Sequence, residues 1–387
     1  MKSNINFCYL LAFIWQSWFW LGIWVLYYLR FTNYSGIGLI ESFMIILSTG
    51  FEIPTGAIAD LLGKKKTIVS AFFLVGIGEF IMASAISFYS ILLAILVMNL
   101  GYAFFSGSFE ALIFDSLKQD GKENEFEKII GRIHSLFLIG LAFASIVGGY
   151  LYFISPALPF WITGALKVIG FIISLFLIEP KFDTQKFSIR SFAVQTKLGI
   201  IELFKSQKII YQTLLLVSIG VFFVIINQIL DNVMAVEFGF KENQLGILFA
   251  GIALLGALMS VNTPKILKFL SAFKLLWLIS LITSVSLLIS PIVGLWIGGS
   301  MIVLRSSLLP VFDNLASVLI NRTTQSKYRA TTLSTFAMLK NLPYVALAFV
   351  SGYLMDTWSV VNFALVLGIL MLIVTILFLV EKLFRSN

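Results

Sequence analysis

Six ionisable side chains stand inside long apolar runs of this chain: Glu52, Glu79, Glu110, Lys167, Arg305 and Lys340. Charge in a hydrocarbon layer is costly, and where it persists it marks a route for ions or polar solutes. At a helical rise of about 1.5 Å per residue, Glu79 lies about 18 Å into its run, Lys340 about 17 Å and Arg305 about 20 Å, all near mid-bilayer. Glu52 stands about 12 Å above Asp60 by the same count. A carboxylate at such depth suits uptake and release of a proton when its surroundings change face, which makes Glu79 and Glu52 candidates for coupling. The competing reading is plain neutralisation, with Glu79 opposite Lys340 or Arg305. Glu110 fits either this deep set or a charge cluster nearer the cytoplasmic side. Arg305 and Lys340 make the second half basic at depth where the first half is acidic, a pattern suited to an amphiphilic, zwitterionic or anionic solute. Lys167 has the length to snorkel. Trp15, Gln16 and Trp20 lie too deep for an interfacial belt and offer a stacking surface for a flat solute, or lipid-facing bulk. Asn227, Gln228 and Asp231 would line an outer cavity or gate.

A second constellation is the stretch Gly56-Ala57-Ile58-Ala59-Asp60-Leu61-Leu62-Gly63-Lys64-Lys65-Lys66 between two apolar runs. It reads as a tight loop between membrane helices. Glycine tolerates the sharp turn. A carboxylate leaving the hydrocarbon at Asp60 needs a cation or helix N-termini beside it. Asp115, Arg132 and Arg329 fall at the same cytoplasmic level.

These groups need elements to hold them. The chain has 387 residues, of which 59% are hydrophobic and 12% charged, with mean hydropathy +0.99. Soluble domains carry about 25% charge. A span needs roughly 20 apolar residues, and twelve stretches qualify: 7–29, 36–60, 67–86, 89–116, 128–151, 157–178, 210–230, 243–264, 272–290, 292–320, 329–353 and 360–381. With both termini cytoplasmic, all but five of the 27 Lys and Arg fall on the inside. Only Arg30 and Lys241 face outward, and Lys167, Arg305 and Lys340 lie within spans. That asymmetry is the positive-inside rule. The fold class is therefore an all-α membrane protein of twelve helices in two six-helix halves, residues 1–180 and 210–387, joined by a cytoplasmic linker at 181–209. Residues 191–205 of the linker form a candidate surface helix. The net charge of +8 reports cytoplasmic loops, not nucleic-acid binding. One cysteine, Cys8, and one histidine, His134, make neither a disulfide nor a metal site. No nucleotide-binding Gly-x4-Gly-Lys-(Ser/Thr) loop is present, no nucleophile–base constellation suggests an enzyme, and no cofactor is implied.

The Gly56–Lys66 stretch resembles the signature loop between helices 2 and 3 of the major facilitator superfamily. Gly131, Gly140, Gly148 and Gly149 are similar to the helix-five motif of antiporters in that family, with Ala144 and Ser145 where the motif has Gly-Pro. The stretches 52–56, 106–117 and 328–334 resemble the twelve-helix bacterial drug/proton antiporter-like branch. The resemblance implies a gating cluster of Gly56, Asp60, Gly63, Lys64, Lys65, Asp115, Arg132 and Arg329, and packing glycines at 131, 140, 148 and 149. One departure is the absence of an arginine before Gly101 in span four, where Val97, Met98, Asn99 and Leu100 stand. Proton coupling must then use other groups: Glu52, Glu79, Glu110, Arg305 or Lys340.

The expected function is secondary active transport by alternating access: proton-coupled efflux of a small amphiphilic, drug-like compound or metabolite. An alternative is transport of an anionic metabolite, siderophore or peptide with Arg305 and Lys340 as ligands. A third reading is a non-transporting sensor or partner protein. The expected partners are a small-molecule substrate, protons and the lipid bilayer, with the chain acting as a monomer in a bacterial cytoplasmic (inner) membrane. The abundance of Phe (38 residues), Ile and Lys suggests AT-rich codons and hence the bacterial source.

Overall fold

The computed structural model describes the backbone of residues 2–180, 189–325 and 328–386, and their side chains except at 2–3, 52–62, 189–193, 195, 330 and 380–386. All regular secondary structure among these residues is helical. Eleven stretches are long and apolar enough to cross a membrane: Tyr34–Phe51, Lys64–Ala83, Phe88–Gln119, Glu123–Ile154, Leu158–Leu175, Gln207–Glu237, Glu242–Ile266, Ala272–Ile292, Leu295–Thr323, Thr331–Trp358 and Val360–Leu379. They coincide with spans two to twelve expected from the sequence. The ninth and tenth are parted by the short 3₁₀ turn Ser290–Ile292 around Pro291.

Span one departs from the expected continuous helix. Helix runs over Lys2–Gln16, residues 17–23 leave it, and Trp24–Tyr28 resumes it. Neither piece is long enough to span a bilayer alone. Other spans are interrupted too. Span four breaks between Phe88–Phe105 and Ser108–Gln119 at Gly107, whose φ is +73°. Span seven carries a π turn at Ile226–Leu230. Span ten breaks between Leu295–Ser306 and Leu309–Thr323, and span eleven between Arg329–Asn341 and Tyr344–Trp358. Pro310 and Pro343 sit at the starts of the second pieces, where a missing N–H costs no helical hydrogen bond.

The chain divides into two compact units. The first comprises Met1–Phe31, Phe43–Ile189 and Lys241–Ala250; the second comprises Thr32–Ser42, Arg190–Phe240 and Gly251–Asn387. The core of the first unit joins Cys8, Leu11 and Trp15 of span one to Phe72 and Val75 of span three, Phe105, Phe109 and Leu112 of span four, and Ile133 of span five. Trp15 stacks on Phe105 at 3.7 Å between ring centres and meets Phe72 and Tyr102 edge-on at 5.0 and 5.7 Å. Lipid tails are as apolar as leucine, so helices in a bilayer associate through close packing and small residues rather than hydrophobic exclusion. Three motif glycines of span five serve this end. A Cβ at Gly140 would lie 2.7 Å from the Phe13 carbonyl oxygen, one at Gly148 would collide with the Phe19 carbonyl, and one at Gly149 with the Glu242 carbonyl. Gly131 faces open space. Ser145, at a position where the motif has Gly-Pro, lends its carbonyl to a backbone contact with Gly246.

The second unit packs span seven on spans eleven and twelve, and span nine on span twelve. Its segment Thr32–Ser42 opens span two against the far end of span eleven. Gly38 meets the Ala348 carbonyl and Gly352 the Tyr34 carbonyl. The Asp356 carboxylate accepts from the backbone N–H groups of Tyr34 (3.1 Å) and Ser35 (2.8 Å) and from the Ser35 hydroxyl. A carboxylate there satisfies free N–H groups and suits the positive end of the helix dipole. The linker helix spans Ile189–Leu203, and its Gly199 packs against Thr331 and Thr335 of span eleven.

Gly148→Leu should overpack the contact between spans one and five and cost about 1–3 kcal/mol or more. Gly131→Leu should leave stability unchanged. Size-exclusion profiles of detergent-solubilised protein after graded heating would separate the two; equal behaviour would remove the packing role of the motif.

Candidate functional site

The break in span one sits among the deep groups of the first unit. Its tryptophans are carried outside regular helix, so their side chains take directions a continuous helix would not allow. The Trp20 indole N–H donates to Glu79 Oε1 at 2.8 Å. Glu79, on span three, is wholly buried. Trp18 stacks on Trp20 at 5.5 Å and lies 5.9 Å from the Tyr102 ring. Three polar atoms here are buried without a hydrogen-bond partner among the described residues: Glu79 Oε2, Trp18 Nε1 and Tyr102 Oη. One is an acceptor, one a donor, and the hydroxyl can act as both. Such atoms are costly to leave unpaired, so this aromatic-walled carboxylate is chemically unfinished. Lys167 of span six, also wholly buried, does not snorkel: its ammonium donates to the carbonyls of Ile14 (2.9 Å) and Trp15 at the end of the first helical piece.

The second unit holds a different arrangement. Asp231 follows directly on the π turn of span seven, and Arg305 ends the first piece of span ten. Both are essentially inaccessible. Arg305 Nε donates to Asp231 Oδ1 at 2.6 Å, Nη2 pairs with the same oxygen, and the Ser306 hydroxyl donates to Oδ2. Nη2 also approaches the Met234 sulfur at 3.2 Å, while Nη1 is buried without a partner among the described residues. Removing two ions from water costs several kcal/mol each, which close pairing and added hydrogen bonds offset. Lys340 pairs with Asp313 at 2.7 Å, its stem lying against Gly220 and its ammonium 5.7 Å from the Phe312 ring centre. The counter-charges of Arg305 and Lys340 are thus Asp231 and Asp313, where depth alone pointed to Glu79.

The charged loop is built around a residue that sequence reading passed over. Gly63 takes φ +90°, a conformation that favours glycine, and span three starts immediately after it. The backbone N–H groups of Lys64 and Lys65 both donate to the Glu179 carboxylate at 2.7 Å. A Cβ at Gly63 would sit 2.9 Å from the Glu179 carboxyl carbon. The Lys64 ammonium forms an ion pair with Asp115 at the end of span four. Gly63, Lys64, Lys65 and Asp115 are therefore brought together, with Glu179 as their cap.

Other site residues fall elsewhere. Glu52, Gly56 and Asp60 lie on the helix Tyr34–Leu62, and their side chains lie outside the described residues. Glu110 is more than half exposed, 3.6 Å from an equally exposed His134, and belongs to neither the deep set nor the Lys64–Asp115 cluster. Arg132 lines an open cavity of about 390 Å³ with Tyr9, Ser135, Leu136 and Ile139. Arg329 opens the first helix of span eleven and is exposed. Trp15 spends its faces on the aromatic core, and Gln16 is the last residue before the break. Asp313 and Glu41 went unread as deep groups, and Asp231 was read for an outer cavity or gate. Glu41 is buried and accepts from the Tyr344 hydroxyl at 3.3 Å. The signal for Asp231 was present: a carboxylate one turn beyond Asn227 and Gln228 in an apolar run requires a cation nearby.

A family model described as Major Facilitator Superfamily matches residues 5–342. The Bacillus subtilis (strain 168) protein YxaM, an uncharacterised transporter of that type, is 29% identical over 241 residues, covering 59% of this chain and 57% of YxaM. The quinolone resistance protein NorA of Staphylococcus aureus is 28% identical over 184 residues, covering 42% of this chain and 46% of NorA. The matched stretches thus span about half the length of these relatives. Among solved structures, the nucleoside transporter NupG superposes with a TM-score of 0.82 over 98% of both chains at 16% identity. A bacterial homologue of the iron transporter ferroportin gives 0.71 over 97% of this chain and 98% of that one, at 15% identity. At such identities the likeness concerns the fold. With a family model covering most of its length and the same helical architecture, the chain belongs to the major facilitator superfamily of transporters.

Proposed function

We propose that this chain exports a small amphiphilic solute in exchange for protons. The observation that carries the reading is Glu79: a wholly buried carboxylate with one oxygen held by Trp20 and the other unspent beside Trp18 and Tyr102. A carboxylate so placed can hold a proton or a donor group of a solute, but not both with full effect, and that competition is the elementary requirement of exchange. The tryptophan faces suit the apolar part of an amphiphile. The likeness to NorA, a quinolone resistance protein, supports outward transport of drug-like compounds. In this reading transport is by alternating access, with residues 1–180 and 210–387 as the two halves and 181–209 as their linker. The Lys64–Asp115 pair with its Glu179 cap is the cytoplasmic latch. The protein works as a monomer in the bacterial cytoplasmic membrane with both termini inside.

A second reading, transport of an anionic solute, draws on the buried Arg305 Nη1, which retains an unused donor. It requires the Asp231–Arg305 pair to open, since that pair already neutralises the guanidinium.

The test is transport in proteoliposomes under an imposed pH gradient, with internal pH followed over a panel of cationic dyes and anionic metabolites. A cationic or zwitterionic amphiphile should drive proton counterflow, and Glu79→Gln should abolish dependence on the gradient. A Glu79→Gln protein that still tracks the gradient removes Glu79 from coupling, and proton movement with none of the solutes removes the exchange reading.

The Asp231–Arg305 pair gives a separate expectation. Arg305→Met leaves a buried carboxylate uncompensated and should cost about 3–5 kcal/mol. The double variant Asp231→Asn/Arg305→Met should recover much of that loss in thermal denaturation. A single variant as stable as the parent would show that no ionised pair is buried there.

A further inference from the structure

Breaking a helix inside a membrane strands backbone groups, and hydrocarbon supplies no water to satisfy them. At the break in span one, the Phe19 N–H would ordinarily donate to the Trp15 carbonyl four residues back. Instead it donates to the Thr163 hydroxyl oxygen at 3.3 Å. The Trp15 carbonyl, released from Phe19, accepts from the Lys167 ammonium, which also reaches the Ile14 carbonyl at 2.9 Å. Thr163 and Lys167 are four residues apart on the continuous helix Leu158–Leu175 and so share one face. One face of span six therefore supplies an acceptor on one side of the break and a donor on the other.

Both side chains are themselves firmly held. Thr163 is wholly buried and donates its hydroxyl proton to the Pro159 carbonyl at 2.8 Å, which leaves its oxygen lone pairs free to accept from Phe19. Lys167 is wholly buried, its ammonium 5.2 Å from the Trp15 ring centre and its Cβ 3.3 Å from where a Cβ at Gly76 would lie. A cation at the carbonyl end of a helix also answers the negative end of its dipole.

We infer that Thr163 and Lys167 are positioning residues for the transport site: they substitute for the lost helical hydrogen bonds of span one, keep residues 17–23 unwound, and thereby aim Trp18 and Trp20 at Glu79. This rests on the reading of Glu79 as the solute and proton group. Neither residue touches the solute. Loss of either lets the segment rewind or fray, and the Trp20–Glu79 hydrogen bond goes with it.

The test uses full-length protein labelled with 5-fluorotryptophan and reconstituted in nanodiscs, read by fluorine NMR. The Trp20 resonance, one of eight, is assigned by its absence in Trp20→Phe. Glu79→Gln marks the position of Trp20 without its carboxylate partner. Thr163→Val removes the hydroxyl, and so both the acceptor for Phe19 and the donor to Pro159, at nearly constant shape and unchanged charge, and should move Trp20 toward the Glu79→Gln position. Lys167→Met should do the same, and Lys167→Arg, which keeps a charged donor, should restore the parent signal. Should Lys167→Met fail to fold, Thr163→Val alone decides. A folded Thr163→Val protein with the parent Trp20 signal overturns the inference, whether or not transport persists. Absence of transport by the parent protein overturns the proposed function instead, since the fluorine readout needs no solute.

Discussion

In a bilayer every buried backbone N–H and C=O must find its partner within the protein, and the candidate site of this chain depends on how that demand is met at one place. Span one stops being helical for seven residues, and the stranded groups are taken over by Thr163 and Lys167 on a neighbouring, unbroken span. A straight helix would present its side chains at 100° intervals and leave them in the groove positions its neighbours dictate. The unwound segment turns Trp20 onto Glu79 and Trp18 onto Tyr102. The aromatic cluster around Trp15, Phe72 and Phe105 then braces the first helical piece at its end.

Glu79 of the first unit and the Asp231–Arg305 pair of the second present buried charge in opposite ways. In the second, Asp231 and Arg305 bind one another through several contacts with Ser306 added, leaving only one guanidinium nitrogen unspent. In the first, Glu79 receives a single indole hydrogen bond, and the nearest buried cation, Lys167, is engaged with backbone carbonyls. A saturated pair is expensive to open, because parting it uncovers two charges. A half-satisfied carboxylate exchanges partners at lower cost. By the same reasoning Asp231–Arg305 has the character of a fixed strut beside the π turn.

Close backbone approach fixes where interruptions can be tolerated. Gly140 and Gly148 let span five lie directly against the carbonyls of span one, at Phe13 before its break and at Phe19 within it. Glycines 38 and 352 bring the start of span two equally close to span eleven, and Asp356 completes the exposed N-terminus there. Glu179 does the same for the start of span three. In each case a carboxylate meets free N–H groups at a helix start, so the charged residues at span ends cap helices as well as orient the chain.

How much of this was legible follows from what kind of information each feature carries. Apolar length, the alternation of lysines and arginines, and the Gly56–Lys66 and helix-five spacings are local or additive along the chain, and they determined the helical class, spans two to twelve and the family. The same kind of information placed Lys64 and Asp115 at one level of the bilayer, although not as a pair. Depth counting identified Glu79, Arg305 and Lys340 as buried in the spans, because rise per residue is constant in a helix. It could not assign partners. Arg305 found Asp231, Lys340 found Asp313 and Lys167 found two carbonyls because partner choice depends on which helix faces which, and hydropathy is blind to rotation about a helix axis. The break in span one was invisible for a deeper reason: residues 17–23 are as apolar and aromatic as their neighbours, and only the hydrogen-bonding face of span six, brought alongside by the tertiary structure, makes leaving the helix tolerable.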